Sequence, residues 1–440
     1  MSRGRKKLPA EPLSATIDSL SHEGRGIARI NGKTVFIQGA LPGERIRFVY
    51  TRRRGQFDEG RTVEVIEPSA LRAEPRCRHY DMCGGCSLMH LDSAQQILHK
   101  QSVLLEQLQH IAGAAPERVI PPLSASHWGY RRKARMGVKY VDGKEKVLVG
   151  FREKNSRFIA DIDSCEVLHP FLGKTIAQLK ELIRGLSVYR QIPQLEVAVS
   201  DAVAAIVIRH LAPLTDNDKS ALAGYEQMHP VRFYLQPAGL DSIHSLSGQV
   251  EQGLHYRLDK HNVTIEFFPI DFTQVNFELN PLLVDRVISL LDLSGADSVL
   301  DLFCGLGNFT LPIARYANHA TGVEGSAELV RRAADNALLN GLTNVSFSVC
   351  DLSGTDAGDQ SAAWDYNKVL LDPPRSGARE IIEQLDLQRV AKLVYVSCNP
   401  ATLARDAGIL VQQGKLSLKA AGVMDMFPHT SHVESIALFE

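Results

Sequence analysis

Residues 298–310 read Ser-Val-Leu-Asp-Leu-Phe-Cys-Gly-Leu-Gly-Asn-Phe-Thr, and this stretch decides the fold of the C-terminal part of the chain. Its first six residues form the short apolar run that is typical of a buried parallel strand. The Gly-Leu-Gly that follows permits a tight turn and a close approach to a ligand, because glycine has no Cβ. Residues 308–317 then suit a helix. The stretch therefore predicts one strand, loop and helix of an open α/β sheet.

Strands and helices alternate from about Phe272 onward, which is the pattern of a parallel α/β sheet. A second helix is expected at 327–340, and the predicted strands are 298–303, 320–324, 344–350, 368–372, 393–397 and 435–440. Ligands of such sheets lie at the carboxyl ends of the strands. Glu324 ends the strand after that of Asp301, where a carboxylate accepts hydrogen bonds from a ribose diol.

The glycine loop alone fits more than one ligand. A dinucleotide-binding loop has a similar layout, but Thr310 replaces the third glycine of G-x-G-x-x-G, which argues against a pyrophosphate at the helix start. The layout favours an S-adenosylmethionine-dependent methyltransferase. A nicotinamide-dependent enzyme and a glycine turn without a ligand are the alternatives.

Two further predicted strand ends carry reactive residues, Asp372-Pro-Pro-Arg375 and Ser397-Cys-Asn-Pro400. Methyltransferases that act on exocyclic amines have an aromatic ring where Arg375 stands, so that reaction is disfavoured. Cys398 offers a thiol instead. A thiolate that adds to carbon 6 of uracil makes carbon 5 nucleophilic, and a base must then remove the carbon-5 proton. Cys304 and Cys350, in contrast, are expected to be packing residues.

Length and composition bound the rest of the chain. With 440 residues, two or three domains are expected, and 44% hydrophobic and 22% charged residues are typical of a globular protein. No apolar run reaches the roughly 18 residues of a membrane span. The basic segment Met1–Lys7 is followed by Pro9 and Pro12 rather than by an apolar stretch, so it is not a secretory signal. A cytoplasmic location follows, where the seven cysteines stay reduced and serve as ligands or nucleophiles.

Positive charge is concentrated in two blocks of a chain whose net charge is −1. Residues 1–61 contain 13 Lys and Arg against six Asp and Glu, and residues 127–157 contain ten against three. A single such run is often only a solvated surface. Here aromatic residues interrupt both blocks, in 50–57 and 127–135, and this combination favours RNA, whose phosphates bind cations and whose unpaired bases stack on rings.

Residues 10–67 are predicted to form a small all-β domain. Arg29-Ile-Asn-Gly-Lys33 is a hairpin signal and Leu41-Pro-Gly-Glu44 marks another turn. The length and spacing suit a barrel of the OB type, and the stretch resembles the TRAM domain, an RNA-binding barrel. In the central segment, 68–270, a helix is expected from an Asp92 N-cap to about Ile111, ended by Gly113. The pattern there predicts no topology.

Four cysteines lie outside the catalytic segment: Cys77, Cys83, Cys86 and Cys165. Four thiols in a reducing compartment suggest an iron–sulfur cluster or zinc. Structural zinc sites usually show paired short knuckles, whereas the fourth cysteine here is single and distant. The spacing leaves a cluster, zinc and unrelated thiols open.

Five motifs together resemble, in chain order, those of the RNA (uracil-5-)methyltransferase family. They are Phe272-Thr-Gln-Val-Asn276, Asp301-Leu-Phe-Cys-Gly-Leu-Gly-Asn308, Asp372-Pro-Pro-Arg375, Ser397-Cys-Asn-Pro400 and His432-Val-Glu434. The resemblance implies that Cys398 is the nucleophile and that Glu434 removes the carbon-5 proton. It also implies a set of cofactor contacts: Gln274, Phe303, Asn308, Glu324, Asp351 and Asp372. Asp351 departs from the family pattern, which commonly has an amide there.

The resemblance further implies a [4Fe–4S] cluster on Cys77, Cys83, Cys86 and Cys165 that supports folding and an RNA-facing loop without a redox step. The expected organisation is a TRAM barrel over 10–67, a central α+β cluster domain over 68–270, part of which packs with the catalytic domain, and a Rossmann-like methyltransferase domain over 271–440. The expected substrate is a flipped or loop uridine of 23S ribosomal RNA, at position 1939, because barrel and cysteines occur together. No membrane and no obligate protein partner are implied.

Several alternatives remain at this point. The substrate could be transfer RNA or another ribosomal uridine. Cytosine-5 methylation is disfavoured because those enzymes have a second cysteine near Asp372-Pro-Pro-Arg375, and none is present. An RNA-binding scaffold that kept the fold would need neither Cys398 nor Glu434.

Overall fold

The computed structural model of the protein describes residues 11–248, 253–354, 364–412 and 416–440. The basic segment Met1–Lys7, Pro9 and the first residue of the predicted barrel lie outside the described residues. No helix in the described ranges combines the length and the apolar character that a membrane crossing requires.

The N-terminal part of the chain is a six-stranded sheet around one apolar core. Its strands are β1 (Leu13–Thr16), β2 (Ser19–Leu20), β3 (Gly26–Ile30), β4 (Lys33–Gln38), β5 (Arg45–Arg53) and β6 (Phe57–Glu67). The strand order is β1-β5-β6-β4-β3-β2. Alternate side chains point inward, so that Val35, Ile37, Ile46 and Phe48 are fully buried. The predicted all-β unit is confirmed.

Both turns predicted in this sheet are present. Asn31 and Gly32, between β3 and β4, have φ values of 50° and 77°, as a two-residue type I′ hairpin requires. Gly43 has a φ of 79°, and the Glu44 N–H donates to the Leu41 carbonyl over 3.2 Å. Local turn chemistry therefore sets the strand register here.

A buried ion pair joins this sheet to the segment that follows it. The Glu44 carboxylate is fully buried and accepts from the Arg72 guanidinium at 2.5 and 2.8 Å. Burial opposes ionisation of Glu44, but the hydrogen bonds and charge of Arg72, together with hydrogen bonds from the Leu41 and Ser69 N–H groups, outweigh it and lower the pKa of the carboxyl. This ion pair therefore joins the six-stranded sheet to the rest of the chain, and loss of Arg72 would leave a buried charge without a partner.

The segment after the barrel contributes helix α1 (Ser93–Gln107), one π-helical turn at Leu108–Ala112 and the short strand β7 (Arg118–Val119). Asp92 caps α1 by accepting from the Ala94 and Gln95 N–H groups, and Gly113 ends it with a left-handed φ of 65°. Both helix limits agree with the prediction. The buried face of α1, including Leu104, packs into the core of the C-terminal sheet.

The central part of the chain is a mixed sheet covered by two helices, which the sequence pattern did not predict. The sheet has the order β13-β12-β11-β10-β8-β9, with β11 and β12 parallel. The elements are β8 (Lys133–Val141), β9 (Lys146–Gly150), α2 (Pro170–Gly185), β10 (Gln194–Val199), β11 (Ala204–Arg209), α3 (Asp216–Met228), β12 (Val231–Gln236) and β13 (His244–Ser245). Helix α2 presents Leu172, Ile176, Leu179 and Ile183 to its core.

A hairpin precedes the C-terminal domain and packs on one of its helices. Its strands are β14 (Leu254–Leu258) and β15 (Val263–Phe267). The amide groups of Asn336 and Asn340 accept from the Glu266 and Thr264 N–H groups at 2.8 and 2.7 Å. These hydrogen bonds provide partners for backbone N–H groups along the outer edge of β15.

The C-terminal part is an eight-stranded sheet with the order β18-β17-β16-β19-β20-β22-β21-β7. Its strands after β7 are β16 (Ser298–Leu302), β17 (His319–Glu324), β18 (Val345–Val349), β19 (Lys368–Leu371), β20 (Lys392–Ser397), β21 (Leu418–Met424) and β22 (Glu434–Phe439). Its helices are α4 (Leu279–Leu291), α5 (Thr310–Ala314), α6 (Ala327–Leu339), α7 (Arg379–Ile382) and α8 (Pro400–Gln412).

Every predicted strand of this sheet is confirmed, and α5 is shorter than the predicted 308–317. The strand order reverses between β16 and β19, so the switch point lies where the glycine loop begins. Strand β22 is antiparallel and lies between β20 and β21. This arrangement places the start of β22 beside the end of β20.

Candidate active site

The loop after β16 has the backbone of a ligand cradle. Phe303, Gly305 and Gly307 have φ values of 65°, 54° and 88°. A positive φ is inexpensive for glycine but costs a phenylalanine about 1 kcal/mol or more, so the surrounding structure must impose it. The loop closes through the Gly307 N–H, which donates to the Cys304 carbonyl at 2.9 Å. Two of these three positions, Gly305 and Gly307, were evident from the sequence.

Carboxylates surround this loop. Asp301 is fully buried, and one of its oxygens accepts from the Thr310 hydroxyl at 2.5 Å, while the other has no hydrogen-bond partner among the residues that the structure describes. Burial raises the pKa of Asp301 to about 7, and the negative charges of Asp372 and Glu324 contribute. Burial also raises the pKa of Asp372 to about 7. Burial of both carboxyls, and repulsion from neighbouring charges at Asp301, disfavour their ionised forms, and a bound cation would offset both effects.

Glu324 is fixed by backbone donors at the end of β17. Its carboxylate accepts from the Gly305 N–H at 3.3 Å and from the Ser326 N–H at 3.0 Å. The strand ends of β16 and β17 thus meet, as predicted. Asp351, after β18, is exposed, and its carboxylate accepts from the backbone N–H and the hydroxyl of Ser353 at 3.0 and 2.6 Å.

Asn308 forms a reciprocal amide pair with Asn280 of α4, at 2.8 and 3.0 Å, and accepts from the Tyr256 hydroxyl at 2.9 Å. These contacts fix the orientation of the Asn308 side chain at the end of the glycine loop. Neither partner was expected from the sequence, since both come from segments that precede the sheet.

Gln274 lies in a connecting segment that the central sheet holds in place. The Arg132 N–H donates to the Val275 carbonyl at 2.9 Å, and the Lys133 ammonium contacts the Asp271 carbonyl. Gln274 itself is partly buried. The start of β8 therefore positions this residue of the predicted cofactor set.

Cys398 and Glu434 are brought together by the antiparallel register of β20 and β22. Ser397 is paired with Ser435, so the residues just outside this pair, Cys398 and Glu434, lie at the same end of the sheet. Each is partly buried. Two residues 36 positions apart in the chain become neighbours because β22 enters the sheet beside β20.

Two neighbouring residues, Asp372 and Arg375, affect the pKa of both Cys398 and Glu434. Burial raises the pKa of Cys398 to about 11; the charges of Glu434 and Asp372 contribute and Arg375 opposes them. Burial likewise raises the pKa of Glu434 to about 8; Asp372 contributes, and Arg375 and Lys100 oppose it. A carboxyl with a pKa near neutrality is matched to proton removal at physiological pH.

Aromatic and basic side chains contact the segment that precedes Glu434. The Arg375 guanidinium lies 3.0 Å from the His432 ring nitrogens, and burial lowers the pKa of His432 to about 4. The Trp128 ring lies 4.1 Å from the ring of His429, and the Arg76 guanidinium lies 5.0 Å from Trp128. The sequence indicated RNA contact for the block containing Trp128 but gave no sign of its proximity to His429.

The four cysteines outside the catalytic sheet line one cavity of about 750 Å³. Burial raises the pKa of the thiols of Cys83, Cys86 and Cys165, and for each of them the charge of neighbouring cysteines contributes. Within the described ranges, no three His, Cys, Asp or Glu side chains stand in the geometry of a metal site. Cys304 and Cys350, by comparison, are buried.

Fold and site together define a Rossmann-like methyltransferase with a strand-end cysteine. A sequence profile of the tRNA (Uracil-5-)-methyltransferase family matches residues 248–440, and a TRAM profile matches residues 10–47. A crystal structure of the Pyrococcus abyssi tRNA (uracil-54, C5)-methyltransferase with S-adenosyl-L-homocysteine shares the fold. Its TM-score is 0.72 at 22% identity, covering 97% of this chain and 100% of that one.

Relatives named 23S rRNA (uracil(1939)-C(5))-methyltransferase RlmD match the whole chain. The protein of Alkalilimnicola ehrlichii is 51% identical over 100% of this chain and 99% of its own length. That of Nitrosococcus oceani is 51% identical over 99% and 98%, and that of Hahella chejuensis 50% over the full length of both. The chain belongs to this RlmD family.

Proposed function

We propose that the protein transfers a methyl group from S-adenosylmethionine to carbon 5 of a uridine in 23S ribosomal RNA, the position numbered 1939 in the names of its relatives. The observation that carries this proposal is the placement of Cys398 and Glu434 at adjoining strand ends, next to the acidic glycine loop. A nucleophilic thiol and a carboxylate base at that place suit uracil, whose carbon 5 is unreactive until a nucleophile adds to carbon 6.

The chain's own residues divide the chemistry between them. Cys398 adds to carbon 6 as the thiolate, which Arg375 favours by lowering the thiol's pKa against burial. S-adenosylmethionine, when bound, supplies the methyl group that carbon 5 takes. Glu434 then accepts the proton of carbon 5, the carbon–sulfur bond to Cys398 breaks, and the double bond of the ring is restored. The net products are 5-methyluridine, S-adenosylhomocysteine and a proton.

The pocket residues suit a cationic, hydroxyl-bearing cofactor. Burial raises the pKa of Asp301 and of Asp372 to about 7, so a sulfonium and an ammonium group bound beside them would favour their ionised forms and pair with the resulting negative charge. Glu324 would accept from the ribose hydroxyls at its strand end. Phe303, Asn308 and Gln274 complete the pocket wall in this proposal, and Asp351 lies toward the adenine.

A covalent trap tests the proposal. In the presence of S-adenosylmethionine, a 23S RNA stem-loop with 5-fluorouridine at the target position should form a denaturation-resistant adduct with the protein, because after methyl transfer the fluorine on carbon 5 cannot leave as a proton does. Cys398→Ala should abolish the adduct, while Cys350→Ala, which removes a thiol at another strand end, should not. Methyl transfer at an unchanged rate by Cys398→Ser would exclude the thiolate mechanism. An inert wild type that binds the RNA would instead indicate a scaffold.

The barrel and the segment beside it are proposed to bind the RNA backbone. Arg52, Arg53 and Arg54 are exposed, and Arg53 and Arg54 lie over the rings of Tyr50 and Phe57 at 4.8 and 5.2 Å. Exposed cations beside rings suit phosphates and unpaired bases. Replacement of the three arginines by glutamine should weaken RNA binding and reduce its dependence on salt concentration.

The four cysteines that share a cavity are proposed to bind a [4Fe–4S] cluster. Their donor set fits this group, because burial of several thiols together disfavours their ionised form unless a metal pairs with them. The protein purified under protection from oxygen should be brown, with broad absorption near roughly 400 nm. Cys83→Ala should remove the absorption. Colourless protein with one equivalent of zinc would exclude the cluster.

The separate sheets of the chain support a division into three domains, at 10–67, 68–270 and 271–440. In this division α1 and β7 are the parts of the central domain that pack with the catalytic sheet.

A further inference from the structure

The connection between β21 and β22, residues 425–433, leads directly into Glu434 and is held by residues from far earlier in the chain. Two of these residues, Gln96 and Lys100, lie one turn apart on the same face of α1, and each side chain is only 1% exposed. Their neighbours on this buried face, such as Val103 and Leu104, are apolar. Two fully buried polar residues in an otherwise apolar helix face need specific partners.

Lys100 holds the beginning of the connection. Its ammonium group donates to the Asp425 carboxylate at 2.6 Å and to the Phe427 carbonyl at 2.9 Å. The Asp425 side chain is 1% exposed, so this is a fully buried ion pair. Removal of one partner of such a pair leaves the other charge without compensation.

Gln96 holds the middle of the connection at a strained residue. Its side-chain oxygen accepts from the His429 N–H at 2.8 Å, and its nitrogen donates to the Leu88 and Leu91 carbonyls at 3.1 and 2.8 Å. His429 has a φ of 65°, a conformation that a histidine keeps only when its surroundings impose it.

The loop that follows Cys86 supplies the third contact. The Ser87 and Leu88 N–H groups both donate to the His429 carbonyl at 2.9 Å, and the Ser87 hydroxyl accepts from the Ser431 N–H at 2.9 Å. Three residues beyond this contact stands Glu434. The cysteine loop and α1 therefore together enclose the connection from Asp425 to Ser431.

We propose that Ser87, Gln96 and Lys100 are positioning residues for the base: they fix the 425–433 connection so that the Glu434 carboxylate faces carbon 5 of the uridine after Cys398 has added. This inference rests on the proposed function. It gives helix α1 an effect on catalysis, although α1 lies outside residues 248–440, the segment that the methyltransferase family profile matches. Lys100 has a second effect, since its charge favours ionisation of Glu434.

Covalent trapping distinguishes misplacement of the base Glu434 from a general loss of the folded, RNA-binding protein. Adduct formation with 5-fluorouridine RNA needs Cys398 but no proton removal, whereas turnover on uridine RNA needs both. Gln96→Leu and Lys100→Met should therefore form the fluorinated adduct within about twofold of the wild-type rate while turnover falls roughly 10- to 100-fold, the scale of a misplaced catalytic group. On uridine RNA they should accumulate a methylated adduct. Lys100→Met should also need a higher pH for turnover, because a positive charge near Glu434 is lost.

Lys368→Met is the matched control. Lys368 also forms a buried pair, with Asp297 at 2.9 Å, and donates to the Asp292 carbonyl at 2.6 Å, but at the amino end of β19, away from the site. It should lose stability without a change in the ratio of trapping to turnover. The inference is overturned if Gln96→Leu and Lys100→Met lose trapping and turnover equally, or lose neither. Absence of trapping by the wild type would instead reject the proposed function.

Discussion

The reactivity of this site is set at single residues by where charge is buried. Cys398 and Glu434 both have a raised pKa, since each is removed from water and each faces negative charge. Arg375 opposes both shifts. Without a bound cation, Cys398 and Glu434 thus favour their protonated forms, and binding of a cationic cofactor would favour release of these protons.

Replacement of Glu434 by Gln should stop the reaction after methyl transfer. The amide cannot accept the carbon-5 proton, so a methylated protein–RNA adduct should accumulate, detectable on a denaturing gel with labelled methyl groups. In the wild type, turnover should rise with pH through about 8, as Glu434 ionises in the presence of Asp372, Arg375 and Lys100. Glu434→Asp should retain this rise at a lower rate. Full turnover by Glu434→Gln would assign the base elsewhere.

At the scale of elements, the fold depends on close contacts that only glycine permits. A Cβ on Gly173 of α2 would meet the Cys165 carbonyl and would lie 3.2 Å from the Leu168 carbonyl. The Cys165 N–H also donates to the Gly173 carbonyl at 2.9 Å. Helix α2 and the fourth cysteine are thus held together by backbone contact.

Substitution of alanine at Gly173 should separate α2 from Cys165. We expect a loss of about 1–3 kcal/mol of unfolding free energy, as in overpacked cores, and weaker absorption of the proposed cluster. Gly224→Ala in α3 is the control, because apart from its own helix no described part of the chain lies within 4 Å of the added Cβ. That change should raise stability by roughly 0.5–1 kcal/mol through helix propensity. Urea titration and the visible spectrum measure both effects; equal behaviour of the two variants would contradict the argument.

For the molecule as a whole, ionisation of the acidic groups in the site lowers the free energy of unfolding, and a bound cation would offset this loss. The pKa values of Asp301, Asp372 and Glu434 are raised to about 7, 7 and 8. These groups therefore hold protons in the folded protein that the unfolded chain has already lost. Stability must fall as pH rises through the folded pKa values.

The melting temperature of the unliganded protein should decrease between about pH 6.5 and 8. Three histidines offset this only in the lowest part of the range: burial lowers the pKa of His90, His429 and His432 to about 4, so their stabilising contribution is complete roughly one pH unit above the ordinary histidine pKa. S-adenosylmethionine should stabilise more at pH 8 than at 6.5, and more than S-adenosylhomocysteine, which lacks the sulfonium charge. Asp301→Asn should reduce the pH effect. A melting temperature that is constant over this range would contradict the assignment.

Short-range residue patterns were enough to predict the local elements of this protein. The strand and glycine loop at 298–310, the Asn31-Gly32 hairpin and the Asp92 cap all follow from residues a few positions apart, where turn geometry and backbone hydrogen bonds decide the outcome. Motif order also indicated the strand ends at which Cys398, Glu324 and Asp372 stand. These predictions depended on no distant partner.

Contacts between residues that are distant in the chain could not be predicted in this way and are known from the folded structure alone. The mixed central sheet, the addition of β7 to the edge of β21 and the contact of Lys100 with Asp425 have no local signal. Likewise, Glu434 becomes a neighbour of Cys398 only because β22 enters the sheet between β20 and β21. Such pairings are fixed by burial of whole helix and sheet faces against one another, which acts across hundreds of residues and leaves no periodicity in the sequence.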